Sequence, residues 1–226
     1  MKRAFAIILT LVMILPLCGC KSDDYEDALQ LYNNGNYKQA RTIFLTLEDY
    51  KDSKAMAEKC AIARCIELLD DIADDEHFYE SDVRYYEEAY FLYNDLSSSN
   101  QALVTNAHVL SEREIQYKQG KAEPRIKQEV LSDCREDAKL RCGSSTTYRD
   151  HPEYENKCYI TWDEENPQNA TASVSVSYLY ENIFGGTSSG GRKVTYYITY
   201  DFETGEFEAR LSKADAYNDL MDILGY

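Results

Sequence analysis

The chain reads as an α+β protein in two parts: an N-terminal bundle of helical hairpins, then a smaller domain of one long helix, an antiparallel sheet and a terminal helix. Three observations predict it. Apolar residues recur at helical spacing from Ala28 to about Gln119. Alternation with period two takes over from Cys158. The joints between these runs fall on Gly, Asn and Ser clusters, the residues of turns and caps. The expected ranges are 1–19 for a leader, 20–120 for the helical domain and 121–226 for the sheet domain.

Lys2 and Arg3 precede an almost unbroken apolar run from Ala4 to Leu17, which ends at Leu17-Cys18-Gly19-Cys20. That is the layout of a secretory signal peptide. About 15 apolar residues fall short of the roughly 20 that a spanning helix needs, and Lys21, Ser22, Asp23 and Asp24 follow at once. The end of the run resembles the lipobox of bacterial lipoproteins, with Leu17, Gly19 and Cys20 at the matching positions and Cys18 at the variable one. The resemblance implies that 1–19 are a lipoprotein signal peptide and that Cys20 carries a diacylglycerol thioether. Two or three acyl chains then anchor the protein on the extracytoplasmic face of the cell membrane. Removing residues 1–19 from 226 leaves 207, and because Lys2 and Arg3 leave with no acid, the formal charge moves from −16 to −18. Such a field repels phosphate backbones and anionic headgroups, so no nucleic-acid partner is expected and the lipid does the anchoring.

Residues 23–50 carry Ala28, Leu31, Gly35, Tyr37, Ala40, Phe44 and Leu47. Ala28 and Leu31 share one face of a first helix, Gly35 and Asn36 supply the turn, and Ala40, Phe44 and Leu47 line a second helix, with Tyr37 wedged between the two. Gly35-Asn36-Tyr37-Lys38-Gln39-Ala40 resembles the Gly-x-Tyr-x-x-Ala core of a tetratricopeptide repeat, with Phe44 at its aromatic position. The match covers one repeat, and such repeats do not bury their faces alone, so neighbouring helices must cover it. The segment Leu47 to Ser53 resembles the linker to a following helix in clostridial-type surface proteins, and Asp52 or Ser53 is expected to cap that helix. The helix runs from about Lys54 to Asp74 with an inward stripe of Met56, Cys60, Ala63, Ile66, Leu69 and Ile72.

A second hairpin is expected from Asp82 to Gln119: Tyr86, Ala89, Tyr90, Tyr93 and Leu96 on one arm, serines 97–99 and Asn100 at the turn, and Leu103, Val104, Ala107 and Leu110 on the other. The stretch Tyr93 to Glu114 resembles helical modules of Gram-positive surface proteins, which act as spacers and binding bundles, and the tyrosine stripe of the hairpin is read as core. Gly120 then breaks the pattern and Pro124 suits the first turn of a new helix. Ile126, Val130, Cys134 and Ala138 recur every four residues up to Cys142-Gly143, a glycine-capped end.

The strands follow from alternation: Cys158, Ile160 and Trp162; Val174, Val176, Tyr178 and Tyr180; Val194, Tyr196, Ile198, Tyr200 and Phe202. Glu203-Thr204-Gly205-Glu206 is a hairpin turn into Phe207, Ala209 and Leu211, and a last helix near Ser212 carries Ala216, Leu220, Met221 and Leu224. The order of helix and meander resembles cystatin-like and nuclear-transport-factor-like folds, in topology alone. Gly185, Gly186, Gly190 and Gly191 read as a flexible hairpin loop; no helix N-terminus follows them to cradle a phosphate.

No constellation points to catalysis. Glu153, Glu155, Asp163, Glu164 and Glu165 sit in polar stretches where solvated carboxylates are the default. Asp70, Asp71, Asp74, Asp75 and Glu76 lack the alternating ligands and central glycine of a calcium loop, and read as a solvated face. His77, His108 and His151 are scattered singly, so no metal and no cofactor is expected. Five thiols remain after processing: Cys60, Cys65, Cys134, Cys142 and Cys158. Cys60 and Cys65 lie about 140° apart on one helix and cannot bridge. Cys142 and Cys158 are the pair best placed to do so, closing a loop of about 15 residues. The expected function is that of a membrane-anchored lipoprotein acting as a non-enzymatic module that binds a protein or peptide partner or serves as a scaffold. The alternative is a small-ligand carrier or enzyme with its pocket inside the curled sheet.

Overall fold

Glycine builds the first reversal of the chain. In the computed structural model, which describes residues 21–74, 78–142, 148–181 and 184–216, residues 21–33 form helix α1. Gly35, at φ +79°, donates its N–H to the Tyr32 carbonyl at 3.1 Å, and Asn36 donates to the Leu31 carbonyl at 2.8 Å. The crossed pair satisfies carbonyls that the helix end leaves open, and glycine takes up the left-handed backbone it needs without strain. Helix α2, Tyr37–Thr46, then buries Ala40 and Phe44. Together with Tyr25, Ala28 and Leu47 these form a core closed by Met56, Ala57 and Cys60, the first inward residues of α3, Ser53–Ala73. Tyr37 packs at the margin of this core, edge-on to Tyr32 at 5.5 Å. Asp52 holds the N-cap position of α3, yet its carboxylate accepts from the Tyr25 hydroxyl instead of capping the backbone.

The other side of α3 belongs to a second cluster. Ala61, Cys65, Leu68, Leu69 and Ile72 pack with Tyr86 and Ala89 of α4, Glu80–Asp95, and with Leu96, Val104 and Val109. Because α3 serves two clusters, a single stripe misdescribes it: Ala63 and Ile66 are half-buried, and Cys65 and Leu68 take the centre. The second hairpin also departs from expectation. Ser97 caps a single turn, α5, Ser98–Gln101, by accepting from the Asn100 N–H, and after turns over 102–108 comes another single turn, α6, Val109–Glu112. Val104, Thr105 and Asn106 are weak helix formers. Asn106 instead donates its amide to the Ile66 carbonyl at 2.9 Å and to Asp70 at 2.7 Å, which fixes the loop to α3.

The chain divides into two compact units between Tyr117 and Lys118. The expected break at Gly120 is absent: α7 is one helix over Glu114–Arg141 with Pro124 inside it. An interior proline leaves the carbonyl four residues back, here that of Gly120, without its donor. Within the sheet unit Ala122 and Ile126, on either side of Pro124, are buried in the core, and that packing offsets the cost.

The sheet is antiparallel throughout. β1, Arg149–Asp150, and β2, Lys157–Trp162, lie along the same edge of β3, Asn169–Glu181. β4, Thr187–Tyr200, pairs with β3 along its whole length, and β5, Phe207–Leu211, pairs with β4. Between β1 and β2 the His151 N–H donates to the Ser177 carbonyl, and Asn156 Oδ1 accepts from the Ser177 N–H, both at 2.9 Å, so the edge of β3 stays bonded. Ala122, Ile126, Val130, Cys134 and Ala138 of α7 cover the inner face, where Ala172, Val174, Val176, Val194 and Ile198 are buried. The turn before β5 is the expected one: Asp201 Oδ1 accepts from the N–H groups of Glu203 and Thr204 at 2.8 and 3.3 Å. Gly190 and Gly191, expected in a loop, are strand residues of β4. Gly190 faces Tyr178 across the sheet, and a Cβ there would stand 2.6 Å from the Tyr178 ring. A terminal helix opens over 213–216 behind Ser212, whose hydroxyl accepts from the Asp215 N–H at 3.1 Å; Leu220, Met221 and Leu224 lie outside the described residues. The fold is α+β, helices first and antiparallel sheet second.

Candidate functional site

Four aromatic rings run from the core of the helical unit to its surface. Tyr86 is 4 % exposed and donates its hydroxyl to the Leu110 carbonyl at 2.7 Å. Tyr117, in the first turn of α7, stacks on it at 4.3 Å between centroids with planes 16° apart. Tyr90 lies one turn along α4, nearly parallel to Tyr86 at 6.3 Å, and Phe91 meets Tyr90 edge-on at 6.2 Å. Exposure climbs along the series to 49 % at Tyr90 and 69 % at Phe91. Helix geometry is the cause: Tyr90 is about 40° from Tyr86 around the axis, at the margin of the buried stripe, whereas Phe91 is about 140° away and outside it.

The surroundings are negative. Glu87 accepts from the Tyr117 hydroxyl at 3.1 Å. Burial pushes the Tyr86 hydroxyl up to about 12, and the nearby Glu114 carboxylate adds to the shift. Three cations from neighbouring helices are engaged, Lys38 and Arg64 with Glu88 at 3.0 and 3.2 Å and Arg41 with Asp95 at 3.1 Å, while Arg84 is exposed on α4 itself. Burial works against ionisation of Glu88, yet the hydrogen bonds from Arg64 and Lys38 hold its carboxyl below the usual range. Over residues 21–117, nine Lys and Arg face 21 Asp and Glu, a net −12.

The residues singled out in the sequence are scattered. Cys20 lies outside the described residues. Glu153, Glu155, Asp163, Glu164 and Glu165 are all exposed on the segments flanking β2; Asp163 Oδ1 accepts from the N–H groups of Glu165 and Asn166, a turn rather than an acid–base pair. Asp70 and Asp71 are exposed on α3. Among the described residues no three His, Cys, Asp or Glu side chains converge as a metal site would require, and no helix is long and apolar enough to cross a membrane.

All five thiols are free. The expected Cys142–Cys158 bridge is ruled out by α7. Cys158 lies in the field of Lys127 and Glu123, and Cys142 is hydrogen-bonded to Tyr178. The helix from Lys127 to Cys142 is about 22 Å long, against the roughly 7 Å that a disulfide allows. Burial pushes the Cys60, Cys65 and Cys134 thiols up to about 11, which marks them as inert packing residues. At the Cys142 end of the sheet, Asp137 holds Arg141 and Arg192 at 2.9 and 2.8 Å. Tyr178 and Tyr196, the residues on which a pocket in the sheet would depend, are each 8 % exposed and packed in the core.

Compared with protein-family models, curated proteins and solved structures, the chain finds no match. The function therefore has to be argued from the site itself. The reading of the tyrosine stripe as core holds for Tyr86 but not for Tyr90, which is 49 % exposed; Phe91 lies outside that stripe, and the signal that marks it as a surface ring is angular, since it is out of phase with Tyr86, Ala89, Tyr93 and Leu96.

Proposed function

We propose that the protein is a lipid-anchored extracytoplasmic binding module, not an enzyme, whose helical unit grips a cationic peptide segment of another protein at Tyr90 and Phe91. The observation that carries this reading is the ring series itself. Tyr86, itself stacked on Tyr117, lies parallel to Tyr90, and Tyr90 meets Phe91 edge-on, so two large rings stand in water beside a ring fixed in the core, as aromatic anchors of interfaces do. The net charge of −12 over residues 21–117 favours a Lys or Arg partner, which gains a cation–π contact with the exposed rings. The resemblance at Leu17 to Cys20 supports the anchor, and the tetratricopeptide-like hairpin suits protein binding. The carrier or enzyme alternative needs room on the inner face of the sheet, and the buried side chains of α7 stand there.

The anchor is tested by metabolic labelling with palmitate, which should mark the wild type and not Cys20→Ala; equal labelling would remove it. The site is tested with fluorescein-labelled 15-residue peptides, one series bearing Lys, Arg and aromatic residues and a matched series with the charges reversed. The basic series should bind, more weakly as salt rises, and Tyr90→Ser with Phe91→Ser should weaken it tenfold or more. Equal binding of acidic and basic peptides, or no change in the variant, would overturn the reading.

A further inference from the structure

The outer face of the sheet is a second surface, independent of the ring series. Alternation along β3 turns Thr171, Ser173, Ser175 and Ser177 away from α7, so the central strand presents only short hydroxyl side chains. The flanking strands carry long ones. Register places Lys157 of β2 opposite Ser175, and Ser175 opposite Lys193 of β4, giving a row of Lys, Ser and Lys across three strands. Tyr159 stands in the next row, opposite Ser173, and Tyr197 one row further, opposite Thr171. Tyr159 and Tyr197 are 63 % and 57 % exposed. β2 and β4 are both antiparallel to β3, so the two rims run in the same direction, lysine at one end and tyrosine at the other.

The result is a trough with a serine floor. Its rims are two strand spacings apart, about 9.6 Å, close enough for the two ammonium groups to meet over one anion. Among the described residues neither Lys157 nor Lys193 has an ion-pair partner, unlike Lys127, Lys139 and Arg210 of the same unit. Two uncompensated lysines side by side in a chain of net charge −16 are a local reversal of sign. Lysine is a compact point charge with rotatable donors, and it binds phosphate without the fixed fork by which arginine engages phosphate and carboxylate alike. At the other end, two exposed phenol rings above hydroxyl groups offer an apolar face to a sugar ring and hydrogen bonds to its hydroxyls. Beside Tyr197 the surface continues into a groove of about 770 Å³ bordered by Thr199, Glu208, Arg210 and Lys213.

We propose that this face binds a sparsely phosphorylated sugar chain, with one phosphate over Ser175 between Lys157 and Lys193 and the sugar rings held at Tyr159 and Tyr197. The charge of the whole protein opposes a dense polyanion, so the seat selects a phosphate set among neutral rings and rejects nucleic acid.

The test uses the detergent-solubilised full chain and a panel of monophosphorylated oligosaccharides built on mannose, glucose, galactose and N-acetylglucosamine, each paired with its phosphatase-treated form. At least one phosphorylated member should bind at least tenfold more tightly than its treated form. Lys157→Gln with Lys193→Gln should abolish that preference and leave the weak binding of the treated form. Tyr159→Ser with Tyr197→Ser should weaken both forms. Trp162 fluorescence checks that each variant is folded, and if the Tyr pair fails that check, Tyr197→Ser alone is read. No binding across the panel, no effect of the phosphatase, an unchanged Lys variant, or tighter binding of single-stranded DNA than of any member would overturn the proposal.

Discussion

The helical unit and the sheet unit bury their apolar residues by different rules, and the rules leave different surfaces. Around a helix, burial changes gradually with angle, so exposure along α4 climbs from 4 % at Tyr86 to 49 % at Tyr90 and 69 % at Phe91. Along a strand, burial switches with every residue, so Val174 and Val176 are buried and Ser173 and Ser175 face outward. A binding group on the helical unit therefore emerges from the margin of its core and borrows rigidity from it. On the sheet, the surface is a separate face whose side chains can be exchanged without touching the core. The lesson is that the first candidate surface is tied to the stability of its unit and the second is not.

The strongest way to break this comparison is to damage one core and watch the other. Phe44 is fully buried, and Phe44→Ala should cost the helical unit about 3 to 5 kcal/mol. The chain's single tryptophan, Trp162, packs against the sheet unit's core, so its fluorescence reports that unit alone, while far-ultraviolet circular dichroism is weighted to the helical unit, with α7 supplying the sheet unit's smaller share. In urea, Phe44→Ala should shift the dichroism midpoint and leave the Trp162 midpoint in place; Ile126→Ala, about 2 to 5 kcal/mol, should move the Trp162 midpoint. If Trp162 follows Phe44→Ala to the same extent, the two cores unfold as one and the contrast fails.

A smaller effect sharpens the sheet side. Gly190→Ala puts a methyl group against the Tyr178 ring, and overpacking of this kind costs about 1 to 3 kcal/mol. The neighbouring Gly191 points outward, where an added Cβ meets only the Val176 carbonyl at an ordinary 3.7 Å. Gly191→Ala should therefore leave stability unchanged or raise it by about 0.5 to 1 kcal/mol, since glycine weakens a strand interior. The check is the Trp162 midpoint of the two variants. Equal costs would mean that burial does not alternate along β4 as described.

The same contrast explains what was legible in the sequence. The period of two placed β2, β3, the second half of β4 and β5, because a strand's pattern is set by its two faces alone. It missed the first half of β4, where Ser188, Ser189, Gly190 and Gly191 carry no apolar alternation and the strand forms because Tyr178 covers Gly190. The helical period found α2, α3 and α4, but it split α7 at Gly120 and Pro124, because packing on either side of a proline is a tertiary effect that overrides local propensity. It also ran a helix through 102–108, where the side chain of Asn106 prefers carbonyl and carboxylate partners on α3. The candidate surfaces were the least legible part. Phe91 and the Lys157–Ser175–Lys193 row stand out only when angle and register are known, and a linear pattern contains neither.

The finest test concerns the buried thiols. Cys60 and Cys65 lie in the helical unit and Cys134 in the sheet unit, each pushed up to about 11 by burial from an ordinary value of 9.0. An acid whose folded pKa is raised contributes stability that is complete below the unfolded pKa and is lost as pH climbs toward the folded one. Below pH 8 the thiols of both states are protonated and stability should be flat with respect to them. Between about pH 8.5 and 10 the unfolded thiols ionise while the buried ones stay protonated, so each should cost about 1 kcal/mol by pH 10. The helical unit holds two such thiols, and in the sheet unit Cys134 is joined by Cys142 and Cys158, which burial also raises, so both units should lose stability across this window. Urea midpoints under reducing conditions at pH 7, 8.5 and 10, followed by dichroism and by Trp162 fluorescence, measure both losses. Cys60→Ala with Cys65→Ala lowers the starting stability by leaving small cavities, but it should flatten the pH dependence of the dichroism midpoint and leave that of Trp162 as it was. Tyr25, raised by its hydrogen bond to Asp52, and Tyr86, raised by burial, add about 0.4 kcal/mol each by pH 10, so the thiol share is read as the difference between the wild type and the double variant. An undiminished slope in the double variant would show that these two cysteines are not the groups that keep their protons in the helical core.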